Sequence, residues 1–390
     1  MTGTIPVTLM RGGTSKGVFL RLTALPPAGE QRDALVLRLL GSPDPMQIDG
    51  LGGTHSSTSK VVAVGTPDEA RALGYEVPDG AEITYLFGQV GVDVAGIDWT
   101  GNCGNLTSAV GPYAAHEGLP PEPPAADGRH TVRLFNLNTG RLIDETFVVR
   151  DGRVREEGDF AIAGVPGTAS RIDVDVLDPG GSVTGRTLPA GVATQRLFGL
   201  SASVVDVTTP IVLAHAEDFG ITGIEPRDQL NGDAELLARI EALRGAAAVA
   251  CGLVENASDA RAVSPAVPRV ALVSASVAHA TAAGDKIRAE DCDLVVRMTS
   301  MGVVHHACPG TGLMALAAAA ALPGTVAHAI VGDRPPGRDL RIAHPKGIAV
   351  AAATVTPDAA GEPYVAAVAM PRTARRLMRG DAYVPAEPLP

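Results

Sequence analysis

The sequence predicts an α/β or α+β protein with two similar domains, each a curved sheet wrapped around a central helix. Its 45 glycines and 30 prolines imply many turns between short segments rich in valine and alanine, which does not fit a helical bundle. Each half contains several predicted strands and one helix of small residues, introduced by a Gly-rich turn with a cysteine. Small residues pack closely, so each helix suits the inside of a rolled sheet. We expect domains at 1–192 and 193–376, with 377–390 returning to the first domain.

Apolar periodicity and turn residues define the elements of the first half. The segment 106–116 has the apolar spacing of a helix and is followed by Gly118 and Pro120. The stretch 119–130 is rich in proline and acidic residues, which is typical of a surface loop. The predicted strands are 4–10, 18–22, 61–64, 83–94 as a pair, and most of 131–175, and the predicted helices are 34–40 and 106–116.

The second half repeats this plan. The turn 308–312 opens an Ala-rich helix at 313–322, which Pro323 and Gly324 end. A second, amphipathic helix is expected at 233–243. The predicted strands are 203–214, 270–277, 294–298, 339–356 and 364–370.

Charge and cysteine content restrict the class of protein. The formal net charge of −11 disfavours nucleic acid or an anionic membrane as a partner, although a local basic pocket can still bind a small anionic substrate. The first 20 residues lack the apolar core of a signal peptide, and no apolar stretch is long enough to cross a membrane. Four widely spaced cysteines give no disulfide framework. We therefore expect a reduced cytoplasmic enzyme, with a homodimer as one possible assembly.

Motifs for a metal or a nucleotide cofactor are missing from the sequence. The nine histidines form no HExxH motif, the cysteines form no CxxC pair, and the turn around Lys16 lacks the phosphate-loop spacing. His305 and His306 are adjacent, so on a strand they would face opposite sides. We expect neither a metal nor a cofactor.

Two Gly-rich turns that precede helices are candidate carboxylate sites. At 101–105, glycine lets a ligand approach the N–H groups of a helix N-terminus, whose partial positive charge also stabilises a thiolate at Cys103. The alternative is that Cys103 is a small buried hydrophobic residue. At 308–312 the backbone amides offer a second carboxylate site, and a structural role is again the alternative for the thiol. The candidate binding residues of these turns are Asn102, Gly104, Asn105, Cys308, Gly310, Thr311 and Gly312.

Lys60 is the candidate base. It closes a loop of five hydroxyl residues and precedes an apolar strand, so its amine can be partly desolvated, which favours the neutral form that a base requires. A solvated surface lysine is the alternative. Lys16 competes for the same role or binds a carboxylate. The neighbouring candidate binding residues are Thr14, Ser15, Lys16, Ser57 and Thr58.

Further candidates lie near the second turn. His305 and His306 precede Cys308 and either hydrogen-bond the substrate or are structural residues with satisfied hydrogen bonds. Arg297 and Arg372 are candidate partners of a carboxylate.

Several longer strings in the sequence are specific enough to indicate a family. They are Met10-Arg-Gly-Gly-Thr-Ser-Lys-Gly17, Ser42-Pro-Asp44, Gln47-Ile-Asp-Gly50, Thr58-Ser-Lys60, Gly101-Asn-Cys-Gly-Asn105, Gly164-Val-Pro-Gly-Thr168, Met301-Gly302 with His305-His306-Ala307, His344-Pro345 and Arg372-Thr-Ala-Arg375. In these strings the chain resembles the PrpF family, and the resemblance runs from about residue 5 to 385. That family includes 2-methylaconitate cis-trans isomerase, 3-methylitaconate delta-isomerase and 4-oxalomesaconate tautomerase.

The resemblance implies the α+β, diaminopimelate-epimerase-like fold with no metal and no organic cofactor. It places the catalytic lysine at Lys60 and the active-site cysteine at Cys103, and it adds Met301 to the candidate binding residues. Related epimerases have a second cysteine directly before Gly-Thr-Gly. Here Pro309 follows Cys308, so the resemblance does not carry an acid role over to that thiol. The segment 54–57 is more similar to methylaconitate isomerases than to the tautomerases.

The leading hypothesis is allylic proton transfer on a small unsaturated di- or tricarboxylate. Cis-trans isomerisation of 2-methylaconitate or aconitate is favoured, with Lys60 as the base and Cys103 as the second acid/base or as an orienting group. Double-bond migration, as in methylitaconate isomerase or oxalomesaconate tautomerase, is the first alternative. The others are a racemase or epimerase that uses Cys103 and Cys308, a non-catalytic carboxylate-binding accessory protein, and a hydrolase that uses Cys103 and His305 but has no evident orienting acid.

Overall fold

The computed structural model describes residues 3–119 and 126–384. No helix within these ranges is long and apolar enough to cross a membrane. The strands are β1 (Gly3–Gly12), β2 (Ser15–Arg21), β3 (Lys60–Gly65), β4 (Ile83–Val90), β5 (Ile97–Asp98), β6 (Gly128–Asn136), β7 (Arg141–Arg150), β8 (Arg153–Val154), β9 (Asp173–Leu177), β10 (Gln195–Leu197), β11 (Leu200–Val207), β12 (Thr209–His215), β13 (Arg269–Ala275), β14 (His279–Ala280), β15 (Lys286–Ile287), β16 (Leu294–Ser300), β17 (Val303–Val304), β18 (Leu340–His344), β19 (Gly347–Pro357), β20 (Pro363–Ala369) and β21 (Ala374–Val384). The α-helices are α1 (Glu30–Leu40), α2 (Pro67–Ala72), α3 (Gly104–Thr107), α4 (Val110–His116), α5 (Arg227–Gly232), α6 (Ala234–Ala250), α7 (Ala260–Val263), α8 (Gly310–Ala321) and α9 (Val326–Val331).

The chain divides into two compact units. Unit 1 comprises Met1–Val176 and Pro371–Pro390, and unit 2 comprises Leu177–Met370. These limits differ from the domain limits drawn on the sequence at 192 and 376, which stay a prediction. Part of the predicted loop 119–130 and the end of the predicted segment 377–390 lie outside the described residues.

The sheet of unit 1 runs in the order β21–β1–β2–β3–β4–β6–β7–β9. Only β2–β3 and β4–β6 pair in parallel. Strand β3 is buried on both faces. Val62 and Val64 join the core around α4, while Val61 and Ala63 join the core beneath α1. This double burial explains its continuous apolar run.

Unit 2 repeats the topology of unit 1. Its sheet runs β10–β11–β12–β13–β16–β18–β19–β20, and again only the third and fifth pairings, β12–β13 and β16–β18, are parallel. In each unit the second parallel connection carries the inner helix, which is α3–α4 in unit 1 and α8 in unit 2. The α+β fold class with two similar units is therefore confirmed, and each unit has a sheet packed around a helix.

The structure corrects two details of the sequence analysis. The predicted helix 106–116 is interrupted, giving α3 and α4, because Pro112 has no N–H and its ring clashes with the carbonyl four residues earlier. The prediction that strands dominate 131–175 is wrong for 155–172, which form no regular strand. Gly158, Gly164 and Pro166 in that stretch favour turns instead.

Glu145 is a fully buried carboxyl group in the core of unit 1. Its Oε2 accepts a hydrogen bond of 2.7 Å from the Gly111 N–H of α4, and its Oε1 is buried without a hydrogen-bond partner. Burial therefore raises the pKa of Glu145 well above its usual value, with the Gly111 hydrogen bond opposing. At a pH between the unfolded and folded pKa values, the folded protein holds a proton here that the unfolded chain has lost.

We expect Glu145→Gln to stabilise the protein increasingly as the pH rises. A raised folded pKa contributes stability below the unfolded pKa of about 4.3, and this contribution is lost at about 1.4 kcal/mol per pH unit as pH rises towards the folded pKa. Glutamine keeps an oxygen for Gly111 and does not ionise. Urea unfolding of both proteins between pH 5 and 8 measures the difference. The exposed Glu157→Gln is the control, and a pH-independent difference for Glu145→Gln would contradict the expectation.

Candidate active site

Two glycines bring the β1–β2 turn against the Cys103 turn in unit 1. A Cβ atom on Gly12 would lie 2.5 Å from the Asn105 carbonyl oxygen, and one on Gly13, where φ is +49°, would lie 2.2 Å from Asn105 Oδ1. This approach lets the Asn105 amide donate to Thr14 Oγ1 at 3.0 Å and reach Ser15 Oγ at 3.5 Å. The predicted residues Thr14, Ser15 and Asn105 therefore belong to one hydrogen-bonded cluster.

Cys103 directly precedes α3 and is partly exposed. Its Sγ lies 3.9 Å from Ser15 Oγ, and its N–H donates to Asn102 Oδ1 at 2.8 Å. The same Asn102 oxygen accepts from the buried Tyr85 hydroxyl at 3.2 Å. The core of unit 1 thus holds the backbone of the cysteine in place.

The Cys103 turn opens a helix, as the sequence analysis predicts, but this helix is shorter than the predicted helix 106–116. Helix α3 has only four residues, too few to build a substantial helix dipole. Its first-turn N–H groups, at Gly104 and Asn105, still have no partner within the helix. Any anion bound here would therefore depend on local hydrogen bonds and on nearby side chains.

Arg372 supplies a positive charge beside this turn. Its Nε donates to Asn105 Oδ1 at 3.1 Å. Burial lowers the pKa of Arg372 to about 10, and the nearby Cys103 opposes that shift. The guanidinium still carries its charge at neutral pH, so Arg372, a candidate from the sequence, lies close to the thiol.

Lys60 begins β3 and is 8% exposed. Its Nζ donates a hydrogen bond to Gln89 Oε1 on the adjacent strand and lies 5.2 Å from the centre of the Phe87 ring. The parallel register of β2 and β3 continues to a pairing of Gly17 with Lys60, so Lys60 shares a sheet face with Gly17 and, two residues earlier, Ser15. The amine, the Ser15 hydroxyl and the Cys103 thiol therefore belong to the same face of unit 1.

The remaining candidates of unit 1 have other surroundings. Lys16 alternates with Ser15 along β2, so the two side chains leave opposite faces of the strand. Its N–H donates to the Ser57 carbonyl at 2.9 Å. Thr58 donates its hydroxyl to the His55 carbonyl at 2.9 Å. These contacts build the loop before Lys60, and the structure does not place Lys16 beside Lys60.

In unit 2, the N-terminus of α8 carries the second cysteine turn. Thr311 accepts a hydrogen bond from Arg269 Nη1 at its hydroxyl, at 2.9 Å, and one from the Thr208 hydroxyl at its carbonyl, at 3.0 Å. A Cβ atom on Gly312 would lie 2.3 Å from Met298 Sδ, so a larger residue there would displace the Met298 side chain. Gly310, Thr311 and Gly312 thus form the first turn of a 12-residue helix, which begins three residues before the predicted start at 313.

Cys308 differs from Cys103 in its surroundings. Its thiol is buried, 3.7 Å from Met298 Sδ. Burial raises the pKa of this thiol to about 12, although Arg269 opposes the shift. The group is therefore a neutral thiol near neutral pH, which fits the structural alternative better than proton transfer.

His305 and His306 follow strand β17, which ends at Val304. The opposite orientation expected for a strand does not apply, because both residues lie beyond the strand, and their rings stack with centres 4.2 Å apart. Burial lowers the pKa of each ring, and neighbouring basic side chains lower it further. Met301, with φ of +53°, lies 63% exposed in the turn before β17.

The sequence analysis missed three residues of these clusters. Gln89 is a polar residue in the apolar run 83–90, and no local signal in the sequence connects it with Lys60, which it meets through the register of β3 and β4. Tyr85 lies in the same run. Arg269 was a lone cation before a predicted strand, and nothing local distinguished it from a surface arginine.

Comparison with known proteins gives matches along nearly the whole chain. The family model described as PrpF protein matches residues 2–385. A 2-methyl-aconitate isomerase of Shewanella oneidensis is 39% identical, with 98% of this chain and 97% of that protein covered. A 3-methylitaconate isomerase of Eubacterium barkeri is 37% identical, with 97% of both covered. The crystal structure of a methylitaconate-delta-isomerase superposes with a TM-score of 0.88 at 36% identity, covering 98% of this chain and 96% of that one.

Proposed function

Because this chain belongs to the PrpF family and is an isomerase, we propose that it transfers an allylic proton in a small unsaturated polycarboxylate. Cis-trans isomerisation of 2-methylaconitate or aconitate is the favoured reaction, in line with the relative from Shewanella oneidensis. Double-bond migration of the methylitaconate type is the second candidate, which the relative from Eubacterium barkeri supports. Both reactions share the same first step.

The observation that carries this proposal is the position of Lys60. Its amine is nearly buried, is held by Gln89, and shares a face of unit 1 with Ser15 and Cys103. In the proposed mechanism, the neutral amine removes a proton from the carbon next to the C=C bond. The electrons of that C–H bond delocalise into a dienolate whose negative charge reaches a carboxylate.

The same cluster contains groups that can stabilise this charge. The N–H groups of Gly104 and Asn105, the hydroxyls of Thr14 and Ser15, and the Arg372 guanidinium lie around Cys103. Donors fixed before the reaction stabilise a developing anion without reorganisation. Rotation of the dienolate and return of the proton to the original carbon gives cis-trans isomerisation, and return to the other end of the allyl system moves the double bond. Cys103 acts as the second proton donor or orients the substrate.

Deuterium exchange tests the shared first step. We expect the protein in D₂O to introduce deuterium at the allylic carbon of cis-aconitate, trans-aconitate or itaconate, as seen by loss of the corresponding proton NMR signal. Interconversion of the two aconitates would identify cis-trans isomerisation, and conversion of itaconate to an internal alkene would identify double-bond migration. The Lys60→Met variant is the control for uncatalysed exchange. No exchange with any of the three would contradict the proposal and favour a carboxylate-binding accessory protein.

A further inference from the structure

Gln89 faces Lys60 across the two neighbouring strands β3 and β4. The two residues are directly paired in this antiparallel ladder, so their side chains leave the same face of the sheet. Gln89 Oε1 accepts the hydrogen bond that Lys60 Nζ donates. Phe87, two residues earlier on β4, places the centre of its ring 5.2 Å from the same nitrogen. The amine is therefore held by an amide oxygen and an aromatic ring, both of which β4 supplies.

The orientation of the Gln89 amide is fixed by its nitrogen. Nε2 lies within hydrogen-bond distance of three backbone carbonyl oxygens, those of Ser59 at 3.0 Å, Ser56 at 3.1 Å and Val90 at 3.4 Å. A carbonyl oxygen only accepts hydrogen bonds, so the NH₂ group is the end of the amide that faces these three oxygens. Oε1 is then the atom that faces Lys60, and Gln89 accepts from the amine without donating to it. The lone pair of a neutral amine consequently stays free to take a proton.

The same amide also fixes the loop that leads into Lys60. Ser56 and Ser59 lie four residues and one residue before the lysine, and both of their carbonyls accept from Gln89. The Ser59 side chain is fully buried, and its hydroxyl accepts a hydrogen bond of 2.7 Å from Gln47 Nε2. The backbone and the side chain of Ser59 are thus each held by a glutamine. These contacts define where the next residue, Lys60, leaves the chain.

The side chain that anchors the amine carries no charge. Within residues 3–119 and 126–384, no aspartate or glutamate forms an ion pair with Lys60. A carboxylate in the place of the amide would favour the ammonium form, which has no lone pair and cannot act as a base. An amide oxygen fixes the amine through one N–H and favours the cation less strongly, because the hydrogen bond lacks a full negative charge. Glutamine therefore allows the amine to be both fixed in direction and uncharged.

Other titratable side chains belong to the elements around this pair. Asp98 of β5 pairs with Gln89 at the opposite edge of β4, and its carboxylate accepts from the Thr100 hydroxyl and N–H at 2.6 and 2.8 Å. The remaining groups are Lys16 of β2, Tyr85 of β4, His55 of the loop before β3, Cys103 before α3 and Arg372 beside it. Because several groups titrate here, a test by pH has to observe Lys60 itself.

We propose that Gln89 is the positioning residue of the Lys60 base, fixing one N–H of the amine through its neutral amide oxygen and leaving the lone pair free for the substrate proton. The proposal rests on the proposed function, because it gives the base of that reaction its positioning partner. Gln89 itself touches no substrate and passes no proton in this proposal.

Acetylation resolved by residue measures the Lys60 amine without requiring activity. A trace of isotopically labelled acetic anhydride reacts with neutral amines, and peptide mass spectrometry gives the labelling of each lysine at each pH. In Gln89→Glu, which preserves the shape, the pH of half-maximal Lys60 labelling should rise by about 1–3 units, because the carboxylate favours the ammonium form. Lys286, exposed on β15, is the internal reference, and its labelling should not change. The matched control is Gln31→Glu, at an exposed glutamine of α1, which should label like the wild type.

Steady-state kinetics on the active substrate give a second readout. Gln89→Met removes the acceptor at similar volume and adds no charge, so it should lower kcat by about 10- to 100-fold through a misplaced amine. KM should change by less than about threefold, because substrate binding does not use this amide. In Gln89→Glu, the acid limb of the kcat/KM profile should move to higher pH together with the labelling. A merely structural role would lower the thermal stability without moving the acid limb.

Two results would overturn the proposal. One is a folded Gln89→Met protein whose kcat lies within about twofold of the wild type. The other is a Lys60 labelling midpoint in folded Gln89→Glu that coincides with that of the wild type. Deuterium exchange by the wild type distinguishes either result from a failure of the proposed function, because the labelling midpoint is measured whether or not the protein exchanges deuterium.

Discussion

Lys60→Met is expected to lower kcat for isomerisation by at least about 100-fold, because general base catalysis typically contributes 10²–10⁴-fold. Methionine keeps the apolar stem that packs near Phe87 and removes only the amine. KM should change little, since carboxylate binding in this proposal depends on other groups. The measurement is the initial rate with the substrate identified by deuterium exchange.

Two comparisons make the Lys60 result specific. Lys286→Met changes an exposed lysine of β15 and should leave the rate unchanged. Lys60→Arg replaces the amine with a guanidinium that stays protonated, and we expect it to retain ligand binding while losing turnover and deuterium exchange. Full turnover by Lys60→Met would show that the base lies elsewhere in the protein.

The two cysteines are expected to respond very differently to substitution. Cys103→Ala should reduce kcat about 100-fold or more if the thiol is the second proton donor. The thiol is partly exposed and lies near Ser15 and Arg372. Cys308→Ala should keep activity and lose about 1–2 kcal/mol of stability, because it removes a buried sulfur that packs against Met298.

This pair of variants also distinguishes the proposed reaction from a racemase with two thiols. A two-thiol mechanism requires both cysteines to exchange protons with the substrate, so each variant would lose activity. Burial keeps the Cys308 pKa at about 12, which opposes such a role near neutral pH. Equal losses in Cys103→Ala and Cys308→Ala, with both proteins folded by circular dichroism, would argue for the two-thiol mechanism.

The parts of the fold that local sequence determines were predictable. The family and the α+β class are confirmed, and the turn at 308–312 opens α8 because its proline and glycines act within a few residues. The break at Pro112 was also readable from the sequence, since a proline interrupts the backbone hydrogen bonds of a helix. Apolar spacing alone did not reveal it.

The contacts between residues distant in sequence were not predictable. Gln89 meets Lys60 only through the register of β3 and β4. Only the matching strand pairings of the two sheets identify Arg269 as the positional equivalent of Lys60. His305 and His306 can stack because β17 ends at Val304, so neither residue lies on a strand. The site residues, the homodimer and the cytoplasmic location stay predictions.

The pairing of β1 with β21 bears on how the protein is made. Unit 1 needs strands from 3–12 and 374–384, whereas unit 2 is one continuous stretch. During synthesis on the ribosome, unit 2 can therefore complete its sheet first. In unit 1, the edge of β1 that pairs with β21 stays unpaired until residues 374–384 have been made. Arg372 reaches Asn105 at the same late moment, so a nascent chain released before residue 372 has no guanidinium beside Cys103.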